Sequence, residues 1–105
     1  MDQKTAIRIV KEYLAHLKKN EFDINQAYIF GSYARGNYHK DSDLDLAIVL
    51  NNQISNSFDM EVKSMVLRRK DETILEPHLF SSDDFIPSNP IVHEILNSGI
   101  EIQVH

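Results

Sequence analysis

The chain has 105 residues, which suits one small domain built on a single core. Sixteen acidic against eleven basic side chains give a net charge of −5, which argues against a general nucleic-acid binder. There is no cysteine, so disulfides and thiolate metal sites are excluded, and no apolar run is long enough to span a membrane.

The opening Met1-Asp2-Gln3-Lys4 has no signal-peptide character, and with zero cysteine this fits a cytoplasmic protein. Ala6, Ile7, Val10, Tyr13, Leu14 and Leu17 recur at helical spacing, with Lys4, Lys11, Lys18 and Lys19 off the stripe. The pattern predicts an amphipathic helix over 3–19 that covers a sheet. After a loop from Asn20 to Asn25, residues 26–31 read as a strand, 32–36 as a short helical turn and 37–42 as a polar loop. Residues 43–50 read as a second strand. Phe58, Val62, Met65 and Val66 then recur at i, i+4, i+7 and i+8, predicting a helix over 57–69 with that stripe as its apolar face. Arg68, Arg69 and Lys70 would complement its C-terminal dipole.

Residues 73–80 read as a third strand, and Pro77 places it at an edge or a bulge. Ser81-x-x-Asp84 has the spacing of a capping box. Asn89 is an N-cap with Pro90 at N1, for a helix that Gly99 stops. Ile100 to Val104 alternates as a last strand. These elements make an α+β fold, a small mixed sheet covered by helices on one side.

The chemistry lies in Gly31-Ser32-Tyr33-Ala34-Arg35-Gly36 followed by Ser42-Asp43-Leu44-Asp45-Leu46. On a strand, Asp43 and Asp45 point to one face, with Cα atoms roughly 6.5–7 Å apart. Two such carboxylates repel unless a cation lies between them, and Mg²⁺ suits them because it takes oxygen ligands and shares them with phosphates. Gly31 has no Cβ to keep a phosphate away, and Ser32 adds a hydroxyl donor. Arg35 and Lys40 bring positive charge nearby. Neither a P-loop nor a G-x-G-x-x-G fingerprint is present. The five histidines show no zinc-binding spacing, and only His78 falls near the site, as a partner to it rather than a ligand. Tyr33 is expected to pack under a nucleotide.

These paired motifs resemble the signature of the DNA polymerase beta-type nucleotidyltransferase superfamily, and within it the minimal nucleotidyltransferases. The resemblance implies a nucleotidyltransferase fold, Mg²⁺ dependence and use of an NTP, with ATP and AMP transfer favoured. It also implies a third carboxylate on the next strand, for which Glu76 is the candidate; Asp71 and Glu72 are weaker ones. Asp43, Asp45 and Glu76 would then be both catalytic and metal-binding, and Gly31, Ser32, Arg35 and Lys40 would hold the nucleotide. The resemblance further implies an antitoxin paired with a HEPN-domain toxin, whose hydroxyl would accept the nucleotide. No acceptor-binding domain is evident, so a partner chain or a second copy is expected to complete the site, as a hetero-oligomer or a homodimer. Two alternatives stand beside this reading: an antitoxin that acts by binding alone, and a small-molecule transferase of the aminoglycoside-modifying sort.

Overall fold

The computed structural model describes residues 2–37, 42–51 and 57–104. Helix α1 (Gln3–Lys19) leads into strand β1 (Ile24–Phe30), the short helix α2 (Ser32–Arg35) and strand β2 (Leu44–Leu50). Helix α3 (Ser57–Val66) and a 3₁₀ turn (Lys70–Ile74) precede strand β3 (Leu75–Ser81), helix α4 (Pro90–Ser98) and strand β4 (Ile100–Ile102). The sheet order is β3-β2-β1-β4. Strand β1 runs antiparallel to both β2 and β4, while β2 and β3 are parallel. The mixed sheet and the edge position of the Pro77 strand are as the sequence predicts. Among the described residues no helix is long and apolar enough to cross a membrane.

Helix α1 forms because its apolar stripe has a sheet to cover and its start is capped. The Asp2 carboxylate accepts from the Thr5 backbone N–H at 2.8 Å. Its buried stripe is Ala6, Ile9, Val10, Tyr13, Leu14 and Leu17, with Ile7 packed at the margin. These side chains meet Leu44, Leu46, Ile48 and Leu50, the alternate residues of β2, in the main core. The opposite face of the sheet is covered too, which differs from the one-sided cover expected. There Tyr28, Phe30, Ala47 and Ile95 of α4 form a second apolar cluster, with Phe80 and Phe85 packed against it. The reason is the alternation of β1 and β2. Their off-core positions carry Tyr28, Phe30, Ala47 and Val49, apolar enough to need cover, and only Gln26 and Asp45 among them are polar.

Helix α3 departs most from expectation. It ends at Val66, and its periodic stripe faces out: Phe58 is 74% exposed and Val66 76%, with Val62 and Met65 also at the surface. Met60 and Leu67 pack toward the core instead, and Ser64 is fully buried. The orientation is held by Tyr13, whose buried hydroxyl donates to the Ser64 carbonyl at 2.6 Å. Burial pushes the Tyr13 hydroxyl pKa up to about 12, so it stays a donor. The helix stops early because Arg68 turns back on it. Its Nε donates to the Met65 carbonyl at 2.9 Å, and its Nη1 reaches the Thr73 and Leu75 carbonyls at 3.1 and 2.8 Å. Arg68 thus does serve the helix C-terminus, while also fixing the entry to β3.

The 3₁₀ turn is closed by Glu72, which is buried. Its carboxylate accepts from the Arg69 backbone N–H at 2.9 Å and from the Arg69 guanidinium at 2.8 Å. Burial alone would raise the Glu72 pKa, but the Arg69 hydrogen bonds and charge outweigh it and hold the carboxyl below the ordinary glutamate range. A lowered folded-state pKa adds stability above the unfolded carboxylate range, and this is lost as pH falls through the folded value. Glu72→Gln should therefore lower the melting temperature at neutral pH, and the gap to the parent should narrow on acidification. Thermal unfolding followed across that range checks it. This role also sets Glu72 apart from the site.

The smaller expectations divide. The Asn89 side chain accepts from the Ile91 N–H at 3.1 Å, with Pro90 at the first helical turn as expected. Gly99 caps the end of α4 in an extended conformation, its N–H donating to the Ile95 carbonyl at 2.8 Å, and a Cβ there would run into that carbonyl. Ser81 does not cap a backbone N–H; its hydroxyl donates to the Asp84 carboxylate at 3.0 Å. Strand β4 stops at Ile102, two residues earlier than expected.

Candidate active site

One end of the sheet gathers the C-terminal end of β1 and the N-terminal ends of β2 and β3. The ladder pairs Asp45 with Phe30 on one side and with Glu76 on the other. Asp45, Glu76 and His78 share the sheet face that carries Ala47, because side chains alternate along a strand. Each of the three offers one ligand atom, and those atoms all lie within 4.8 Å of one another. The His78 Nε2 stands 3.3 Å from the Asp45 Oδ1. The Phe30 ring meets the imidazole edge-on at 5.2 Å between centroids, which fixes its plane.

Gly31 shapes this end of the sheet. It has φ +75° and ψ −148°, a conformation open almost only to glycine. A Cβ on it would overlap the Asp45 Oδ2. The carboxylate thus occupies the room that the missing side chain leaves. Ser32 follows as the first residue of α2 and is half-buried; Gly36, in the left-handed region, ends that turn.

The expected residues divide as follows. Asp45, Glu76 and Gly31 come together. Asp43 precedes β2, is exposed and stands outside the three-residue group, though it lines one shallow depression of about 280 Å³ with Glu76, Pro77 and Arg68. Arg35 is turned away to α4, where its Nη1 meets the Glu94 Oε1 at 2.8 Å. Such an exposed pair is worth only about 0–1 kcal/mol, so a phosphate could draw the guanidinium off it. Lys40 lies outside the described residues, as does His39. Tyr33 is a correction: it is buried in the main core, so it has no face free to lie under a nucleotide. A cleft of about 650 Å³ between α1 and the 3₁₀ turn is larger than the depression at Glu76, but it is lined by Glu12, His16, Arg69 and Glu72 and does not include the Asp45 group. The residue underrated by sequence reasoning is His78. Its i+2 spacing from Glu76 gave it the right face, and only the parallel β2–β3 register brings it onto Asp45.

The donor set fits a divalent cation, with two carboxylates and an imidazole converging at a strand edge. A protein-family model described as "Polymerase beta, Nucleotidyltransferase" matches residues 12–104. No curated protein shows significant sequence similarity to the chain. Among solved structures, the chain is similar to a protein from Sulfolobus solfataricus described as a candidate nucleotidyltransferase. The TM-score is 0.65 and the identity 21%, over 90% of this chain and 77% of that one. It is similar to a toxin-antitoxin solved with AMP-PNP, at TM-score 0.59 and 18% identity, over 88% of this chain and 70% of the other. It is similar also to the toxin-antitoxin MntA-HpeT, in a mutant with two aspartate-to-glutamate changes two residues apart. There the TM-score is 0.59 and the identity 16%, over 90% and 72% of the two chains. At these identities the structural likenesses carry the fold.

Proposed function

The chain belongs to the polymerase beta nucleotidyltransferase family, and from that premise we propose that it moves AMP from ATP to a hydroxyl on a partner protein, as the antitoxin of a pair with a HEPN-domain toxin. The observation that carries the reading is the convergence of Asp45 and Glu76 beside the Gly31-Ser32 turn. Carboxylates this close suit a site where phosphates and a divalent cation meet, and Asp43 is near enough along the chain to share in holding them. A cation bound there would neutralise phosphate charge and orient the α-phosphate.

The chain's own groups do the rest. The Gly31 backbone lets a phosphate approach closely, and Ser32 offers a hydroxyl. Glu76 takes the proton of the acceptor hydroxyl as its oxygen bonds to the α-phosphorus. The bond from that phosphorus to the bridging oxygen breaks, and pyrophosphate leaves. Positioning and charge neutralisation supply most of the rate. A protein acceptor is supported by two observations. Similar folds occur in toxin-antitoxin structures, one of them with AMP-PNP. The apolar face of α3 at Phe58, Val62 and Val66 also lies open at the surface. That same face favours the second reading, an antitoxin that acts by binding alone.

The test is co-expression with the neighbouring gene product, then intact mass measurement of that partner. A gain of one or more AMP units, lost with Asp43→Asn, supports transfer. An unmodified partner silenced equally well by the Asp43→Asn chain would favour binding alone. With transfer established, Glu76→Gln should cut turnover by about 10²–10⁴-fold, the usual cost of losing a general base, while nucleotide binding by calorimetry changes little. A near-parental rate would move the base elsewhere.

A further inference from the structure

We propose that His78 is a metal ligand, and that with Asp45 and Glu76 it makes a position that takes a first-row transition ion in preference to Mg²⁺. The inference rests on the nucleotidyltransferase reading above and concerns which ion the site selects.

One pair of donors already has the spacing of a shared ion, and the exposed Glu76 side chain has room to close the third. Donors to an ion at about 2.0–2.2 Å stand roughly 3.0–3.5 Å apart at neighbouring vertices of a tetrahedron or octahedron. The His78 Nε2 and Asp45 Oδ1 are 3.3 Å apart, and the Glu76 carboxylate completes a set within 4.8 Å. Two of the donors are held from behind, and the backbone of the third is set by the strand pairing. The Asp45 Oδ2 sits in the space left by Gly31, the imidazole plane is set by Phe30, and Glu76 is set by its register with Asp45. Asp45 and His78 keep 29% and 32% of their side-chain surface, so an ion can reach them.

The nitrogen decides selectivity. Mg²⁺ demands oxygen donors and gives up its waters reluctantly, whereas imidazole suits the later first-row ions. Asp43 cannot restore an all-oxygen set here, because it stands outside the group. The competing account makes His78 a hydrogen-bond partner that merely orients Asp45.

The two accounts separate by titrating the nucleotide-free chain with Co²⁺ and, in parallel, with Mg²⁺. Calorimetry gives the affinities, and visible d–d absorption reports the Co²⁺ ligand set. The expected result is tighter binding of Co²⁺ than of Mg²⁺. His78→Gln should weaken Co²⁺ by about 10–100-fold and shift its absorption, with Mg²⁺ binding unchanged. Asp45→Asn should weaken both ions. If His78→Gln leaves Co²⁺ untouched, or weakens both ions alike, while Asp45→Asn removes both, His78 only orients Asp45 and the proposal is overturned. If Asp45→Asn leaves both ions bound as before, the metal centre itself fails, and the nucleotidyltransferase mechanism with it.

Discussion

Replacing Asp45 by Asn should reduce the proposed AMP transfer by at least about 10²–10³-fold, the scale on which a preorganised electrostatic group acts, without loss of fold stability. Among the described residues, Asp45 links three parts of the site. It faces Glu76 across the ladder, accepts from His78 and fills the space at Gly31. Asn keeps the shape and an oxygen for His78, but loses the charge. Two carboxylates within 4.8 Å repel by on the order of 1 kcal/mol even in a water-like medium. The variant should therefore melt at the same temperature as the parent or higher. Labelled-ATP transfer and a thermal melt on the same preparation check both halves. A stable variant with parental transfer would remove Asp45 from the mechanism.

Gly31→Ala should be costly in two separable ways. At φ +75° and ψ −148° a non-glycine backbone costs about 1–3 kcal/mol. The added methyl would also collide with the Asp45 Oδ2, a carboxylate already pinned by His78 on its other oxygen. Either the strand end shifts or the carboxylate swings out of the site. We expect a drop in stability of roughly 2 kcal/mol and a loss of transfer approaching that of Asp45→Asn. Gly36→Ala is the control. It shares a positive φ, but nothing lies within 4 Å of where its Cβ would be. Denaturant unfolding of both variants should show strain in each, while transfer should fail only for Gly31→Ala.

Much of this architecture could be read in the residues. Helix α1, the Asn89–Pro90 start of α4 and the alternating leucines of β2 carry strong local signals, and they fold as those signals say. What could not be read depends on contacts between distant parts of the chain. The stripe Phe58-Val62-Met65-Val66 has the same period whether it faces a core or the surface. The Tyr13–Ser64 bond, 51 residues apart, turns it outward. Arg35 looks like a phosphate ligand from its motif, and its carboxylate partner Glu94 is 59 residues away. The 3₁₀ turn hides because Lys70 takes a positive φ of 36°, which its residue type does not signal. Within the site, the Asp-x-Asp spacing suggests that Asp43 and Asp45 act as a pair. The strand begins only at Leu44, so Asp43 lies just before it, and the parallel neighbour brings Glu76 and His78 beside Asp45.

The sheet order has a consequence for synthesis on the ribosome. Strand β1 lies between β2 and β4, so one of its edges stays unpaired until residues 100–102 have emerged. For that interval Ala27, Tyr28 and Ile29 present open backbone donors and acceptors to any extended chain nearby. The residues of the site are all in place by His78, some twenty positions earlier. The chain can thus assemble its chemistry before it can close its sheet. A nascent β1 edge is the point at which crowding or a pause in synthesis before residue 100 would divert it toward aggregation.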